Sequence, residues 1–171
     1  MAPPDREPRC RRDLPLYGQE RPWDSAEWVT SDDRVRGGAS ASHMRTINPE
    51  RARFCGHLDI ETLGGAGFAS QRSVGTLHLD LSAHDGISID VHESDGKKYT
   101  LVLKDEVLPQ RPDGREQSSV SWEFDFVCKE GKVEITWDQF TPTYRGRPKK
   151  DAGKLDLSDI KRVGIMMRRY E

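Results

Sequence analysis

Cysteine is scarce in this chain, which has only Cys10, Cys55 and Cys128. An odd number without any Cys-x-x-Cys pair is typical neither of a disulfide framework nor of a zinc ribbon, so we expect reduced thiols in an intracellular compartment. Long apolar runs are also missing, and no window approaches the roughly 18 consecutive apolar residues of a transmembrane helix. The N-terminus lacks the apolar core of a secretory signal.

Neither sign of charge dominates. The chain has 27 Lys and Arg against 29 Asp and Glu, for a formal net charge of −2. This balance excludes a dedicated nucleic-acid binder, which carries a basic domain, and a polybasic membrane-surface protein. Four arginines near the start suggest a transit peptide, but acidic residues and prolines interrupt any amphipathic helix there. These arginines are Arg6, Arg9, Arg11 and Arg12.

Helical periodicity is missing as well, and the pattern that replaces it has period two. Residues 1–15 are rich in Pro and Arg and are predicted to form a disordered arm. Residues 16–171 are predicted to form a single domain of short strands, because apolar and polar residues alternate in six segments. Polar residues followed by Gly, as in Ser94-Asp95-Gly96, mark turns between them. The six segments are 76–81, 87–92, 99–104, 120–126, 133–137 and 163–167.

Short strands separated by turns, with no helices between them, predict an all-β fold. An antiparallel β-sandwich or jelly roll fits this order of elements. One helical turn is expected at 158–162, with Ser158 as its N-cap. Trp122 and Trp137 fall on the apolar faces of strands, and we expect both in the core with partnered indole N–H groups.

No recognised catalytic pattern occurs in the chain. The glycines at 37–38 and 64–67 match neither a dinucleotide fingerprint nor a P-loop, and we interpret them as backbone positions at strand ends. The five histidines form no HxH or HxxxH pair, and no serine lies in a GxSxG context. We therefore predict no enzyme activity, no catalytic residue, no metal and no cofactor.

The stretch "WVTSDDRVRGGASAS" (28–42) contains two adjacent aspartates. On a strand, Asp32 and Asp33 would point to opposite sides. In a loop, one is expected to cap backbone N–H groups while the other pairs with Arg34 or Arg36. Calcium binding by either aspartate together with loop carbonyls is the alternative.

Two tryptophans, Trp23 and Trp28, stand at the start of this region. They either pack the first strand onto the domain or form, with Tyr144 and Arg145, an exposed platform for a sugar. Packing is the favoured interpretation. The stretch "YRGR" (144–147) and Lys149-Lys150 form a basic segment that is interpreted as a solvated loop, with contact to an acidic partner as the alternative.

Five stretches occur in a fixed order along the chain. They are "SDDRVRGGASAS" after Trp28, "FCGHLDIETLGGAGFASQRS" (54–73), "DGISIDVHESDGKKYTLVLKDE" (85–106), "VEITWDQFTPTYRGR" (133–147) and "LDLSDIKRVGIMMR" (155–168). Over residues 16–168 this combination resembles the complex I intermediate-associated protein 30 family, in the short form common in fungi. The SDDRVxGG and GGFAS-like stretches are its most specific motifs.

The resemblance implies a galactose-binding-domain-like β-sandwich with a non-catalytic, chaperone-like role in the assembly of mitochondrial NADH:ubiquinone oxidoreductase, through protein partners. It implies a mitochondrial location, with the cytoplasm as the alternative because no clear transit peptide is present. An intracellular module that binds a carbohydrate or another small ligand is the alternative function. Family members usually continue beyond the "GIMMR" run, so we expect either a sandwich that lacks its last strand or a truncated sequence. Signature-turn or partner-contacting residues are expected to be Trp28, Asp32, Asp33, Arg34, Arg36, Gly37, Gly38, Arg72, Tyr144, Arg145 and Arg147.

Overall fold

The computed structural model describes residues 12–170. Cys10 and the first eleven residues of the predicted arm lie outside this part. The described chain forms eleven strands and three single 3-10 turns, and none of these turns is long or apolar enough to cross a membrane. The strands are β1 (Trp28–Thr30), β2 (Ala41–Asn48), β3 (Arg51–His57), β4 (Phe68–Ser73), β5 (Gly86–Val91), β6 (Lys98–Lys104), β7 (Ser121–Val127), β8 (Gly131–Thr136), β9 (Thr141–Tyr144), β10 (Arg147–Pro148) and β11 (Arg162–Arg168). The 3-10 turns are Ser25–Glu27, Asp33–Arg36 and Trp137–Gln139.

Seven strands form one antiparallel sheet in the order β1-β4-β11-β6-β7-β9-β10. Two further antiparallel pairs, β2-β3 and β5-β8, accompany it. The prediction of an all-β antiparallel sandwich is therefore confirmed. The strand that contains the "GIMMR" run, β11, lies inside the sheet between β4 and β6. The expected absence of a further strand stays a prediction.

One face of the seven-stranded sheet carries the core, because apolar residues alternate along its strands. Leu101 lies opposite Phe124, and Leu103 lies opposite Trp122, in the pairing of β6 with β7. Ile135 and other apolar residues of the β5-β8 pair belong to the same cluster, so this pair forms a second layer over that face. The opposite face carries the alternate, mostly polar residues and remains available for a site.

Two local predictions are wrong. Residues 76–81 form no regular strand, and Leu79 instead makes a single bridge to Ile160. Residues 158–162 form no helix, because the Asp156 carboxylate accepts hydrogen bonds from the backbone N–H and the hydroxyl two residues later. Such a local side-chain turn competes with helix formation.

The two predicted core tryptophans have different surroundings. Trp137 is half-buried, and its Nε1 donates a hydrogen bond of 2.6 Å to the His84 carbonyl. Trp122 is buried, but its Nε1 has no hydrogen-bond partner in the described part of the chain. The expectation of a partnered indole N–H is therefore wrong for Trp122, which is held by packing.

Candidate functional site

The two adjacent aspartates are buried at the turn that follows β1. Asp32 is 2% exposed, and Asp33 is fully buried. Asp33 begins the 3-10 turn, whereas Asp32 keeps an extended backbone immediately before it. The two carboxylates reach different partners as a result.

Asp32 is held by donors from two strands. Its carboxylate accepts hydrogen bonds from the N–H and the hydroxyl of Ser42 in β2, at 2.8 and 2.6 Å. It also accepts one from the Ser70 N–H in β4, at 2.7 Å. The exposed guanidinium of Arg34 lies 3.5 Å from the same carboxylate.

Asp33 repeats this arrangement with the neighbouring residues. Its carboxylate accepts hydrogen bonds from the N–H and the hydroxyl of Ser40, at 3.0 and 2.7 Å, and from the Phe68 N–H at 3.0 Å. The aspartates therefore tie the turn to β2 and β4. Protein donors occupy both oxygens of each carboxylate, so the pair acts as a structural network rather than as a ligand set for calcium.

The glycines beside the aspartates have separate roles. Gly37 closes the 3-10 turn with φ +83°, a left-handed conformation that favours glycine. A Cβ on Gly38 would lie 2.3 Å from Asp33 Cγ. A Cβ on Gly67 would lie 1.9 Å from the Asp59 carbonyl oxygen and 2.9 Å from Asp33 Oδ2. The SDDRVxGG and GGFAS-like stretches thus meet around one buried carboxylate.

Trp28 is part of a packed aromatic cluster. It is 9% exposed, and its ring centroid lies 5.0 Å from that of Tyr17 and 5.8 Å from that of Trp23. The cluster fastens the segment before β1 to the sheet. Packing is thus the arrangement observed for Trp28, and its ring face does not form an exposed sugar platform.

The uncovered face of the seven-stranded sheet holds a cavity of about 570 Å³, which we name the outer groove. Its floor consists of alternate residues on β4, β11, β6 and β7, which the register places side by side, such as Arg72, Gly164 and Val102. Its rim comprises the turn after β1, the loop between β6 and β7, and the turn between β9 and β10. Gly164 has no side chain, and this opens the middle of the floor.

Positive charge is concentrated in the outer groove. Eight cationic side chains and two carboxylates line it, although the whole chain has a formal net charge of −2. Such a local excess attracts anions into a concave surface. The strands supply Arg72, Lys104, Arg162 and Arg168. Strand β10 supplies Arg147, and the turns and flanking segments supply Arg36, Arg145 and Arg169.

Arg168 is neutralised within the fold. Its Nη1 donates to Glu123 at 2.9 Å, and its Nη2 donates to Asp125 at 3.1 Å. One cation is matched here by two carboxylates. The excess positive charge on the floor of the groove therefore comes from its other cations, Arg72, Lys104 and Arg162.

Arg72, Lys104 and Arg162 lie together on the floor of the groove, and we name them the cation cluster. Its two arginines share a single carboxylate. Arg72 forms an ion pair with Glu116, and Nη1 of Arg162 lies 3.4 Å from both Glu116 oxygens. The Lys104 ammonium donates to the Ser119 hydroxyl at 3.1 Å and forms no ion pair within residues 12–170. Three positive charges therefore face one negative charge.

Burial leaves the cation cluster short of acceptors. The Arg162 side chain is only 9% exposed. Nε of Arg162 and Nε of Arg72 are buried without a hydrogen-bond partner in the described chain. Burial, reinforced by the charge of Arg162, lowers the pKa of Lys104 below its ordinary value. An added anion would offset both the desolvation and the repulsion.

The turn between β9 and β10 brings two further arginines to the rim. Arg145 has φ +52° and Gly146 has φ +79°, the pattern of a two-residue hairpin turn with left-handed residues at both central positions. A left-handed conformation costs a residue other than glycine about 1–2 kcal/mol. Arg145 and Arg147 both line the outer groove.

The residues predicted as site candidates fall into two groups. Arg36, Arg72, Arg145 and Arg147 line the outer groove, although they are far apart in sequence. The others do not line it. These are Trp28 in β1, then Asp32, Asp33, Arg34, Gly37 and Gly38 at the turn after β1, and Tyr144, whose ring packs against the Arg145 guanidinium at 5.4 Å.

Sequence reasoning missed Lys104, Glu116 and Arg162. Lys104 ends one predicted strand, and Arg162 immediately precedes another. A cation on the polar face of a strand is the signal that both carry, but many surface residues share that signal. Only the pairing of β11 with β6, which sets Arg162 opposite Lys104, shows that these two cations are neighbours.

The fold and the groove define the class of the protein, an antiparallel β-sandwich with a cationic groove on its open sheet face. No group of three His, Cys, Asp or Glu side chains able to hold a metal ion occurs in residues 12–170. Residues 17–171 match the family described as Complex I intermediate-associated protein 30 (CIA30). The chain belongs to this family, as its motifs predicted.

A curated relative shares most of the chain. It is "Uncharacterized protein C9E9.15" of Schizosaccharomyces pombe (strain 972 / ATCC 24843), which is 41% identical over 166 residues. The match covers 92% of this chain and 75% of the relative. The similarity to this relative therefore extends over nearly the whole sandwich.

Proposed function

We propose that the chain is a non-catalytic protein-interaction module that acts in the assembly of mitochondrial NADH:ubiquinone oxidoreductase. The observation that carries this proposal is membership of the CIA30 family over residues 17–171. The proposal places the protein in mitochondria together with its partner. In this proposal the galactose-binding-like sandwich is a scaffold, and its open sheet face is the contact surface.

The outer groove supports this role. It is concave, cationic and formed by rigid strands, and interaction sites on rigid elements are positioned accurately. The conspicuous polar residues elsewhere, Asp32 and Asp33, are saturated by donors of the fold itself. The groove is thus the surface where charged groups still lack partners within the described chain.

A small-ligand-binding module is the second candidate, and one observation favours it. The groove volume of about 570 Å³ falls within the range of small-molecule sites, about 300–1,000 Å³. No tryptophan lines the groove in the described chain, so intrinsic fluorescence is a poor probe. Isothermal titration calorimetry with a panel of neutral and acidic sugars would test this candidate directly.

Affinity purification from fractionated cells tests the assembly role. The tagged chain should be recovered from mitochondria together with subunits of NADH:ubiquinone oxidoreductase. A variant with Arg145→Glu and Arg147→Glu should lose most of these subunits, because the reversed charges repel the same partner surface. Quantitative mass spectrometry of the purified material provides the measurement.

The matched control reverses two cations on the other layer of the sandwich. Lys129→Glu with Lys132→Glu makes the same change in net charge at exposed positions near β8, outside the groove. This control should retain the subunits. Wild-type protein that is recovered without any subunit of the complex would refute the assembly role.

A further inference from the structure

The cation cluster has an anion of its own that is only partly buried. Glu116 comes from the loop between β6 and β7, and its side chain remains 40% exposed. It contacts Arg72 closely, but its oxygens lie 3.4 Å from Arg162 and form no bond with Lys104. A carboxylate from the chain itself thus lies in the cation cluster but neutralises only one of its three positive charges.

The unused bonding capacity is concentrated at the floor of the groove. Each guanidinium offers five N–H donors and the ammonium offers three. The Arg162 guanidinium lines the groove and has only long contacts of 3.4 Å, to Glu116 and to the Gly75 carbonyl, while its buried Nε has no partner in the described residues. The side chain is more than nine-tenths buried. A buried cation with a free donor is costly unless an anion meets it. The floor is therefore an incomplete anion site.

The length of the groove selects the kind of anion. Its lining runs from β4 across β11, β6 and β7 to β9, four strand spacings or about 19 Å. Arginines that form no ion pair within residues 12–170 stand at both ends, Arg36 beside Phe68 at one and Arg145 with Arg147 at the other. An extended chain of about six residues spans this distance, whereas a single phosphate or sugar ring fills only part of it.

We infer that the outer groove binds an extended acidic segment of a partner protein, whose carboxylates replace Glu116 on Arg72 and Arg162 and also bind Lys104. The inference rests on the proposed function and specifies the chemistry of its partner. Glu116 is the internal stand-in for a partner carboxylate, and guanidinium groups bind carboxylates through paired N–H donors. The arginines at the two ends then contact further acidic residues of the same segment.

Fluorescence anisotropy with a labelled oligoglutamate of about eight residues tests the inference at about 0.15 M salt. Wild-type protein should bind this peptide and should not bind a matched oligoglutamine. Glu116→Gln should bind the oligoglutamate several-fold more tightly, because the internal competitor is gone. Glu106→Gln removes an exposed carboxylate of the same loop outside the groove and should leave the affinity unchanged.

Loss of cations should have the opposite effect. Arg145→Glu with Arg147→Glu, on an exposed turn, should weaken oligoglutamate binding about tenfold or more, with the melting temperature kept within a few degrees. The Lys129→Glu, Lys132→Glu control should bind as the wild type does. The melting temperature of each variant confirms that the fold is retained.

Three results would overturn the inference. They are no binding of oligoglutamate by wild-type protein, equal effects of Glu116→Gln and Glu106→Gln, and binding of inorganic phosphate or citrate without binding of the peptide. None of them touches the assembly role, which is judged by recovery of the complex I subunits. Conversely, peptide binding without those subunits would leave the acidic-segment site standing and remove the proposed function.

Discussion

At the scale of single residues, a buried carboxylate explains part of the family signature. Asp33 accepts three hydrogen bonds, and a side chain at Gly38 would collide with it. A side chain at Gly67 would collide first with the Asp59 carbonyl and then with Asp33. The sequence contained a usable signal for this network, the spacing of Ser40 and Ser42 on one side of a strand. Adjacent acids facing alternate serines predict a hydrogen-bonded turn better than they predict a metal site.

Gly38→Ala should destabilise the protein by about 3 kcal/mol or more. The added Cβ would lie 2.3 Å from Asp33 Cγ, so the carboxylate must shift away from its buried donors. Gly37→Ala is the control, since its Cβ would meet nothing within 4 Å and only its left-handed φ is penalised, by about 1–2 kcal/mol. Urea denaturation measures both, and an equal loss in the two variants would contradict the collision argument.

At the scale of elements, the strands with alternating apolar residues were predictable and the polar ones were not. Strands β6, β7 and β8 were predicted because they bury leucine, aromatic or isoleucine side chains on one face. Strand β4 escaped prediction because its buried face consists of Ala69, Gln71 and Ser73. Gln71 is satisfied by hydrogen bonds to Thr30 and Ser42, partners that only the folded chain provides.

Trp122→Ala should lower the free energy of unfolding by about 3–5 kcal/mol, as deletion of a buried aromatic side chain does. Trp122 lies in β7 opposite Leu103, which is fully buried. Val127→Ala, at the end of the same strand, is the control because its side chain is 46% exposed, and it should cost well under 1 kcal/mol. Urea midpoints that are similar for the two variants would show that Trp122 does not contribute to the stability of the core.

At the scale of the whole molecule, the net charge is close to zero, but positive charge is concentrated in the outer groove. The cation cluster comes from positions 72, 104 and 162, which lie in three strands and become neighbours only in the sheet order β4-β11-β6. Periodicity predicts the strands but not their order. The family motifs supplied Arg36, Arg72, Arg145 and Arg147 without showing that they share a groove, so the residues were predictable and the site was not.

Stability should fall steeply in alkaline solution. Burial is the main cause that raises the pKa of Tyr17, Tyr99 and Tyr170 above the ordinary phenol value of about 10. Above that pH the unfolded chain releases these protons while the folded chain keeps them, so the free energy of unfolding decreases as the pH rises. The lowered pKa of Lys104 acts in the opposite direction, but only below the ordinary lysine value of about 10.5.

Urea midpoints between about pH 10.5 and 11.5 measure this effect beyond the lysine contribution. Tyr99→Phe should reduce the slope of stability against pH, because one of the three raised groups is removed. Tyr99 donates a hydrogen bond to Asp95 at 2.8 Å, so the variant loses this bond but keeps the ring. A variant with an unchanged slope would show that the Tyr99 phenol ionises normally in the folded protein.

The central position of β11 has a consequence for how the chain is made. Until residues 162–168 are available, β4 and β6 face each other across a gap with unpaired backbone groups on both edges. About 90 residues separate the end of β4 from the start of β11, which is roughly 5–20 s of synthesis at 5–20 residues per second. For that interval the nascent chain exposes two unpaired strand edges that can pair with other chains. We therefore expect this chain to need a chaperone on the ribosome that is released when β11 enters the sheet.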